Sequence, residues 1–126
     1  MIYNPEAFNG SIDAIYEDEN VLVINKPAGI SMHKINQNDA STTIHEILAS
    51  KLAKNDPIRG GIVHRLDKDT SGVLILAKNI KSLDFLKAQF KNRSVEKEYL
   101  AMVWGRLQHP KARIELPLAR SAKTPT

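Results

Sequence analysis

The sequence predicts an α+β domain with a mixed, mostly antiparallel sheet and two flanking helices. Three observations carry that prediction. Runs rich in Val, Ile and Leu at 21–24 and 73–77, and a third alternating run at 98–105, read as strands. Two stretches, opening near Thr43 and Asn79, repeat apolar residues at helical spacing behind residues that cap helices. Polar turns separate these elements.

With 126 residues, the chain can build one domain with a core of its own. Eighteen basic against fourteen acidic residues leave a net charge of +4. Such an excess permits a polyanionic partner without requiring one, because it is common on solvated surfaces. There is no cysteine, which excludes disulfides and thiolate metal sites and points to a reducing compartment, the cytoplasm. Residues 1–11 read as an N-terminal extension. Met1-Ile2-Tyr3-Asn4-Pro5-Glu6 has no basic region followed by an apolar stretch, so it does not read as a signal peptide, and no later run is long enough to span a membrane.

From Ile12 the pattern Ile12-Asp13-Ala14-Ile15-Tyr16-Glu17 predicts an edge strand. Asp18-Glu19-Asn20 then turns the chain into Val21-Leu22-Val23-Ile24, which makes the pair a hairpin. The second strand leaves through Asn25-Lys26-Pro27-Ala28-Gly29, where Pro27 fixes φ and Gly29 allows a turn. Residues 37–43 are a polar loop. Thr43 can cap a helix, with Glu46 completing a capping box and Ile44, Ile47, Leu48 and Leu52 forming the buried face. That helix is expected to stop near Asn55-Asp56-Pro57, because the residue before a proline resists helical backbone. Gly60-Gly61 reads as a flexible lead into the next stretch.

The next stretch is the densest in chemistry. Gly61-Ile62-Val63-His64-Arg65-Leu66-Asp67-Lys68-Asp69-Thr70-Ser71-Gly72 sets two carboxylates, two cations and two hydroxyls against the apolar strand 73–77. An isolated carboxylate beside a sheet core is costly, so Arg65 or Lys68 is expected to hold it ionised, or a substrate to use it. Three chemistries fit. A calcium loop matches at Asp67, Asp69, Ser71 and Gly72 but fails at the twelfth position, where Lys78 replaces the bidentate Glu. A phosphoryl-transfer site would use Asp67 as nucleophile and Asp69 as acid or base, and would need magnesium. A single carboxylate could instead meet an oxocarbenium-like centre at a glycosidic carbon. Residue types alone favour a plain turn, since Asp, Thr, Ser and Gly are ordinary turn residues.

Beyond it, Asn79 or Ser82 can cap a second helix with Leu83, Leu86 and Phe90 inside and Lys81, Lys87, Lys91 and Arg93 outside. Glu98-Tyr99-Leu100-Ala101-Met102-Val103-Trp104-Gly105 is apolar on both alternating faces, so it reads as a central strand.

Taken whole, His64-Arg65-Leu66-Asp67-Lys68-Asp69-Thr70-Ser71-Gly72 resembles the active-site motif of the RluA-type pseudouridine synthases. Further strings agree. Tyr16-Glu17-Asp18-Glu19-Asn20 with Asn25-Lys26-Pro27-Ala28-Gly29 resembles the family's first motif, and Lys97-Glu98-Tyr99-Leu100-Ala101 resembles the motif whose tyrosine lies against the target base. Ile114-Glu115-Leu116-Pro117-Leu118-Ala119-Arg120 resembles the segment that opens the second half of the catalytic module.

The resemblance implies a uridine-to-pseudouridine isomerase acting on structured ribosomal or transfer RNA, with Asp67 as the essential carboxylate. It implies support from Arg65, Tyr99, Thr70, Ser71 and Gly72, and makes Lys26, His33 and Lys68 candidate RNA contacts. A flipped pyrimidine needs a flat apolar surface to replace its lost stacking, which Tyr99 would supply. Asp69 is expected only to form the turn. The histidines His33, His45, His64 and His109 lack metal-ligand spacing, so neither metal nor organic cofactor is expected.

The resemblance also implies an incomplete fold. Residues 12–126 would be a partial pseudouridine synthase catalytic domain truncated on its C-terminal side, lacking the later lysine motif and the Thr-Gly-Arg and His-Gln-Ile-Arg region. No S4-type RNA-binding domain is expected before it. On that reading the 126-residue chain alone is expected to be inactive and to self-associate. The alternative is a non-catalytic fragment that keeps an RNA-binding or interaction role.

Overall fold

In the computed structural model, residues 12–34, 40–54 and 60–117 are described. The chain divides into two units, Met1–Glu96 and Lys97–Thr126. The expected N-terminal extension, the helix stop at Asn55-Asp56-Pro57 and the residues after Pro117 lie outside the described residues.

The first unit contains strands β1 (Ala14–Glu17), β2 (Val21–Lys26) and β3 (Gly72–Ala77) with helices α1 (Ile44–Leu48) and α2 (Ile80–Lys91). The sheet runs in the order β1-β2-β3 and both pairings are antiparallel. The α+β class and the hairpin therefore stand as expected; no pairing among the described strands is parallel. Asp18 closes the hairpin. Its Oδ1 accepts from the amides of Asn20 and Val21, each at 2.7 Å, fixing the turn from its own side chain.

Alternation along β2 buries Leu22, Ile24 and Lys26 on one face. Leu22 lies opposite Leu76 and Ile24 opposite Leu74, so the two strands present one apolar layer to the core. Ile30, Met32, Ile44, Leu48, Leu52 and Leu66 complete that layer from outside the sheet. The α1 cap is as the sequence predicts, and of the two residues it offered for α2 the structure uses Asn79. The Thr43 hydroxyl accepts from the Glu46 amide while the Glu46 carboxylate accepts from the Thr43 amide, and Asn79 accepts from the Ser82 amide.

Helix α1 is shorter than expected, ending at Leu48. Its continuation is diverted because the Ala53 amide donates to the Ala77 carbonyl at the end of β3, which a helical backbone would forbid. Gly61 is equally constrained, and is no flexible hinge. It is buried at φ +73°, and an added Cβ would stand 2.5 Å from the Ala77 carbonyl oxygen and 2.9 Å from the Leu52 Cβ. Gly61→Ala should therefore cost about 2 to 4 kcal/mol, from left-handed backbone strain and overpacking together. Urea denaturation measures it; an unchanged midpoint would show that this junction yields freely.

Glu17 joins β1 to the far side of the unit through Lys51 at 2.8 Å and Lys78 at 2.9 Å. Those hydrogen bonds, Lys51 first, hold its carboxyl below the ordinary value of 4.5. A lowered folded value gives stability that is fully present above 4.5 and is lost as pH falls through the lowered value. Glu17→Gln should accordingly lower the thermal midpoint at neutral pH and leave little difference at strongly acid pH. A gap between the two proteins that persisted undiminished into acid would refute the coupling.

The second unit corrects one expectation. Residues 98–105 form no strand, and Leu100, Met102 and Trp104 are fully exposed. A central strand needs a hydrogen-bonded neighbour on each side, and no described strand pairs with this segment. Without a ladder, an alternating pattern has no faces to sort. An ion pair between Arg113 and Glu115 is present in this unit. Among the described residues no helix is long and apolar enough to cross a membrane.

Candidate active site

The site forms where the end of β2 meets the loop before β3. Leu66 is buried in the core while Arg65 and Asp67 on either side are exposed, so one apolar anchor turns both charged side chains outward. Residues Asp67 to Thr70 then close a turn, the Thr70 amide donating to the Asp67 carbonyl at 3.1 Å. Lys68, Asp69 and Ser71 are exposed, Thr70 is half-buried, and Gly72 begins β3.

This turn is held from inside by Lys26, which the structure places differently from the expected RNA contact. Lys26 is 0% exposed. Its Nζ donates to the carbonyls of Pro27 (3.0 Å), Asp67 (3.1 Å), Lys68 (3.0 Å) and Thr70 (2.8 Å). An ammonium has three protons and no acceptor capacity, so four carbonyls satisfy it completely with one proton shared. Burial pushes its pKa below the ordinary lysine value, opposed by the negative charges of Asp69 and Asp67. A buried cation cannot reach a phosphate. It binds the backbone of the loop that carries Asp67. The signal for this lay in β2, where alternation puts position 26 on the same face as Leu22 and Ile24.

The two loops are also tied by backbone. The Gly29 amide donates to the Lys68 carbonyl at 2.7 Å, with Gly29 at φ +87°, a conformation glycine takes without strain. The Asp67 carboxylate therefore projects into solvent from a backbone fixed by Lys26, Gly29 and Thr70. Among the described residues no ion pair joins it to Arg65 or Lys68, contrary to the expected counter-ion. The reason is exposure: water solvates the carboxylate at the surface, and the desolvation that called for a partner does not arise.

Upstream of the turn, the chain lies along the edge of β3 that β2 does not occupy. The Ala77 amide donates to the Gly61 carbonyl at 2.8 Å, and Ile62 bridges to Leu76. The Ile75 amide donates to His64 Nε2 at 3.1 Å, and the His64 ring stacks on Phe90 of α2 with centroids 4.6 Å apart. The sequence reading gave His64 no task beyond its place in the motif.

His33 is half-buried beside Ser31 and Met32, whose carbonyls accept from the amides of Ile44 and His45 at the start of α1. Tyr99 belongs to the second unit and is 63% exposed. Among the described residues no three His, Cys, Asp or Glu side chains cluster to hold a metal ion. The arrangement offers two solvent-facing carboxylates, Asp67 and Asp69, on a turn held through its backbone, with a cation two residues before Asp67 and another one residue after it. It can present a fixed negative charge to an electron-deficient carbon or to a proton of a ligand.

Residues 20–125 match the family described as RNA pseudouridylate synthase. The ribosomal large subunit pseudouridine synthase D of Borreliella burgdorferi is 51% identical over 102 residues, covering 77% of this chain and 31% of that protein. Its counterpart in Buchnera aphidicola is 42% identical over 96 residues, covering 76% and 31%. A solved structure of human RNA pseudouridylate synthase domain containing 4 aligns at 29% identity and a TM-score of 0.49, over 64% of this chain and 30% of that one. The chain thus spans about a third of the length of the curated relatives it matches.

Proposed function

The chain belongs to the RNA pseudouridylate synthase family, and from that membership we propose that, completed by the second half of the catalytic module, it isomerises uridine to pseudouridine in structured RNA, with Asp67 as the essential carboxylate, and that the 126 residues alone do not turn over. One observation supports this most: the turn bearing Asp67 is held through its carbonyls by Lys26 and Gly29, while Asp67 itself is exposed where a substrate can meet it. The isomerisation breaks the bond between uracil N1 and C1′ of ribose, rotates the base, and rejoins it through carbon 5, whose proton is released as N1 gains one. A carboxylate at the ribose assists by adding to the sugar or by taking a sugar proton. Fixed placement is what either role needs, because effective concentration in a near-attack geometry lowers the barrier.

Arg65 carries a planar fork suited to a carboxylate or to the gap left by an extruded base. Thr70, Ser71 and Gly72 shape the turn, and Lys68 and His33 are proposed as RNA contacts. The relatives' names make large-subunit ribosomal RNA the first substrate to test, with transfer RNA second. The exposed Leu100, Met102 and Trp104 favour self-association, and the cytoplasm is the proposed location.

The test is pseudouridine mapping in ribosomal RNA treated with the protein, alone and with the second half of the module supplied in trans, in the presence of a magnesium chelator. New pseudouridine under chelation only with the complement supports the reading, whereas RNA bound without conversion even then would leave an RNA-binding role in its place. Turnover that needed magnesium would restore the phosphoryl-transfer alternative.

Tyr99 provides a further check, because we assign its ring to stacking on the flipped uridine. Tyr99→Leu should lower turnover about 10- to 100-fold and Tyr99→Phe far less, since aromatic stacking is worth roughly 1 to 3 kcal/mol per base. Equal losses would assign the role to the hydroxyl.

A further inference from the structure

We infer that His64 is a positioning residue for the Asp67 turn, held in its neutral Nδ1–H form as a hydrogen-bond acceptor for β3. A backbone amide can only donate, so His64 Nε2 must present its lone pair to the Ile75 amide 3.1 Å away, and the ring proton then resides on Nδ1. The register gives this contact its meaning. Ile62 bridges Leu76 and Gly61 accepts from Ala77, so a continued antiparallel ladder would bring the Ile75 amide to the Val63 carbonyl. The imidazole takes that donor instead.

Two consequences follow at once. The amide on the β3 edge stays satisfied, and the backbone is released from the edge one residue before Arg65. Phe90 stacks on the ring at an interplanar angle of 16°, which fixes its plane and ties the departure point to α2. The Asp67 turn is thereby set from two directions, by the Lys26 ammonium beneath its carbonyls and by His64 where the chain leaves the sheet. His64 acts through the backbone and touches no reacting atom.

The inference rests on the proposed reaction, so its experiment has an arm that needs no turnover. In the 126-residue chain labelled with nitrogen-15, the ring of His64 should show its proton on Nδ1. Relative to the unsubstituted chain, His64→Phe keeps a stacking ring but loses the acceptor, and should shift the amide resonances of 65–70 while leaving those of β1 in place. A proton on Nε2, or unmoved loop resonances, overturns the inference. In the kinetic arm, run on the chain completed by the second half of the module, His64→Phe should lower kcat about 10- to 100-fold with KM within about threefold, because misplacement of roughly 1 Å costs that much in rate. His64→Gln, whose side-chain oxygen can accept from Ile75, should recover a large part of the loss. Wild-type kcat in His64→Phe, or no recovery in His64→Gln, also overturns it. The expected ring and loop signals in a chain that makes no pseudouridine even when the module is completed would sustain the positioning role and defeat the proposed reaction.

Discussion

In the completed catalytic module, Asp67→Asn should reduce pseudouridine formation by about 10³-fold or more while leaving the fold and RNA binding largely unchanged. The substitution keeps the side chain's shape and removes its charge. The scaffold has little reason to respond, because the turn is held through the Asp67 carbonyl, which accepts from Lys26 and Thr70, and not through the carboxylate. Loss of one negative charge near Lys26 disfavours the buried ammonium only slightly, since Asp69 also favours it. The measurement is pseudouridine mapped after treatment of RNA with each protein, beside thermal midpoints and a binding titration. Substantial product from Asp67→Asn at an unchanged midpoint would remove Asp67 from the central role.

Lys26→Met is the second large effect, and it should strike stability and turnover together. Methionine can fill much of the space of the lysine stem, so apolar packing survives while the donor is lost. The Asp67 carbonyl keeps the Thr70 amide and the Lys68 carbonyl keeps the Gly29 amide, but the carbonyls of Pro27 and Thr70 lose the donor they have here. Leaving buried acceptors unpaired costs about 1 to 3 kcal/mol each, partly offset because the ammonium no longer has to be desolvated, so a net loss of about 2 to 4 kcal/mol is expected. Turnover should fall roughly 100-fold as the Asp67 backbone relaxes. Lys26→Arg should not rescue it, because a planar fork cannot meet four carbonyls gathered around one point. Equilibrium unfolding and single-turnover kinetics on the same preparations decide the matter. A Lys26→Met protein of native stability and rate would show that the clamp is dispensable.

What could be read from the sequence was what is determined locally. The Thr43–Glu46 box, the Asn79 cap and the Asp18 turn each rest on contacts within three residues, and each is where the sequence predicts. The hairpin followed from an edge-strand pattern before that turn and an apolar run after it. Contacts between distant segments were not legible. Lys26 meets carbonyls 41 to 44 residues away, and only the folded loop reveals that its head is satisfied rather than free. Helix α1 ends early for the same kind of reason, since the Ala53 amide is claimed by Ala77. Residues 98–105 show the opposite failure: their apolar run is plain, but such a run specifies a central strand only where pairing partners exist. The motif located Asp67 and gave no hint that His64 would stand in for a backbone carbonyl.

The burial of Lys26 also makes it a built-in clock for opening of the site. The other described lysines all have side chains that reach water, and only the Lys26 amine is sealed beneath the turn it supports. An acylating reagent at neutral pH should therefore label the surface lysines rapidly, whereas Lys26 must await a fluctuation that lifts the 67–70 loop from the end of β2. Where reclosing outpaces reaction, the slow rate divided by that of a free lysine is the population of the opened state. RNA bound across the turn should slow that labelling further, and Gly61→Ala, by loosening the base of the loop, should hasten it. Peptide mass spectrometry of a single modified residue would thus read the rigidity of the Asp67 platform directly, in the absence of any catalytic assay.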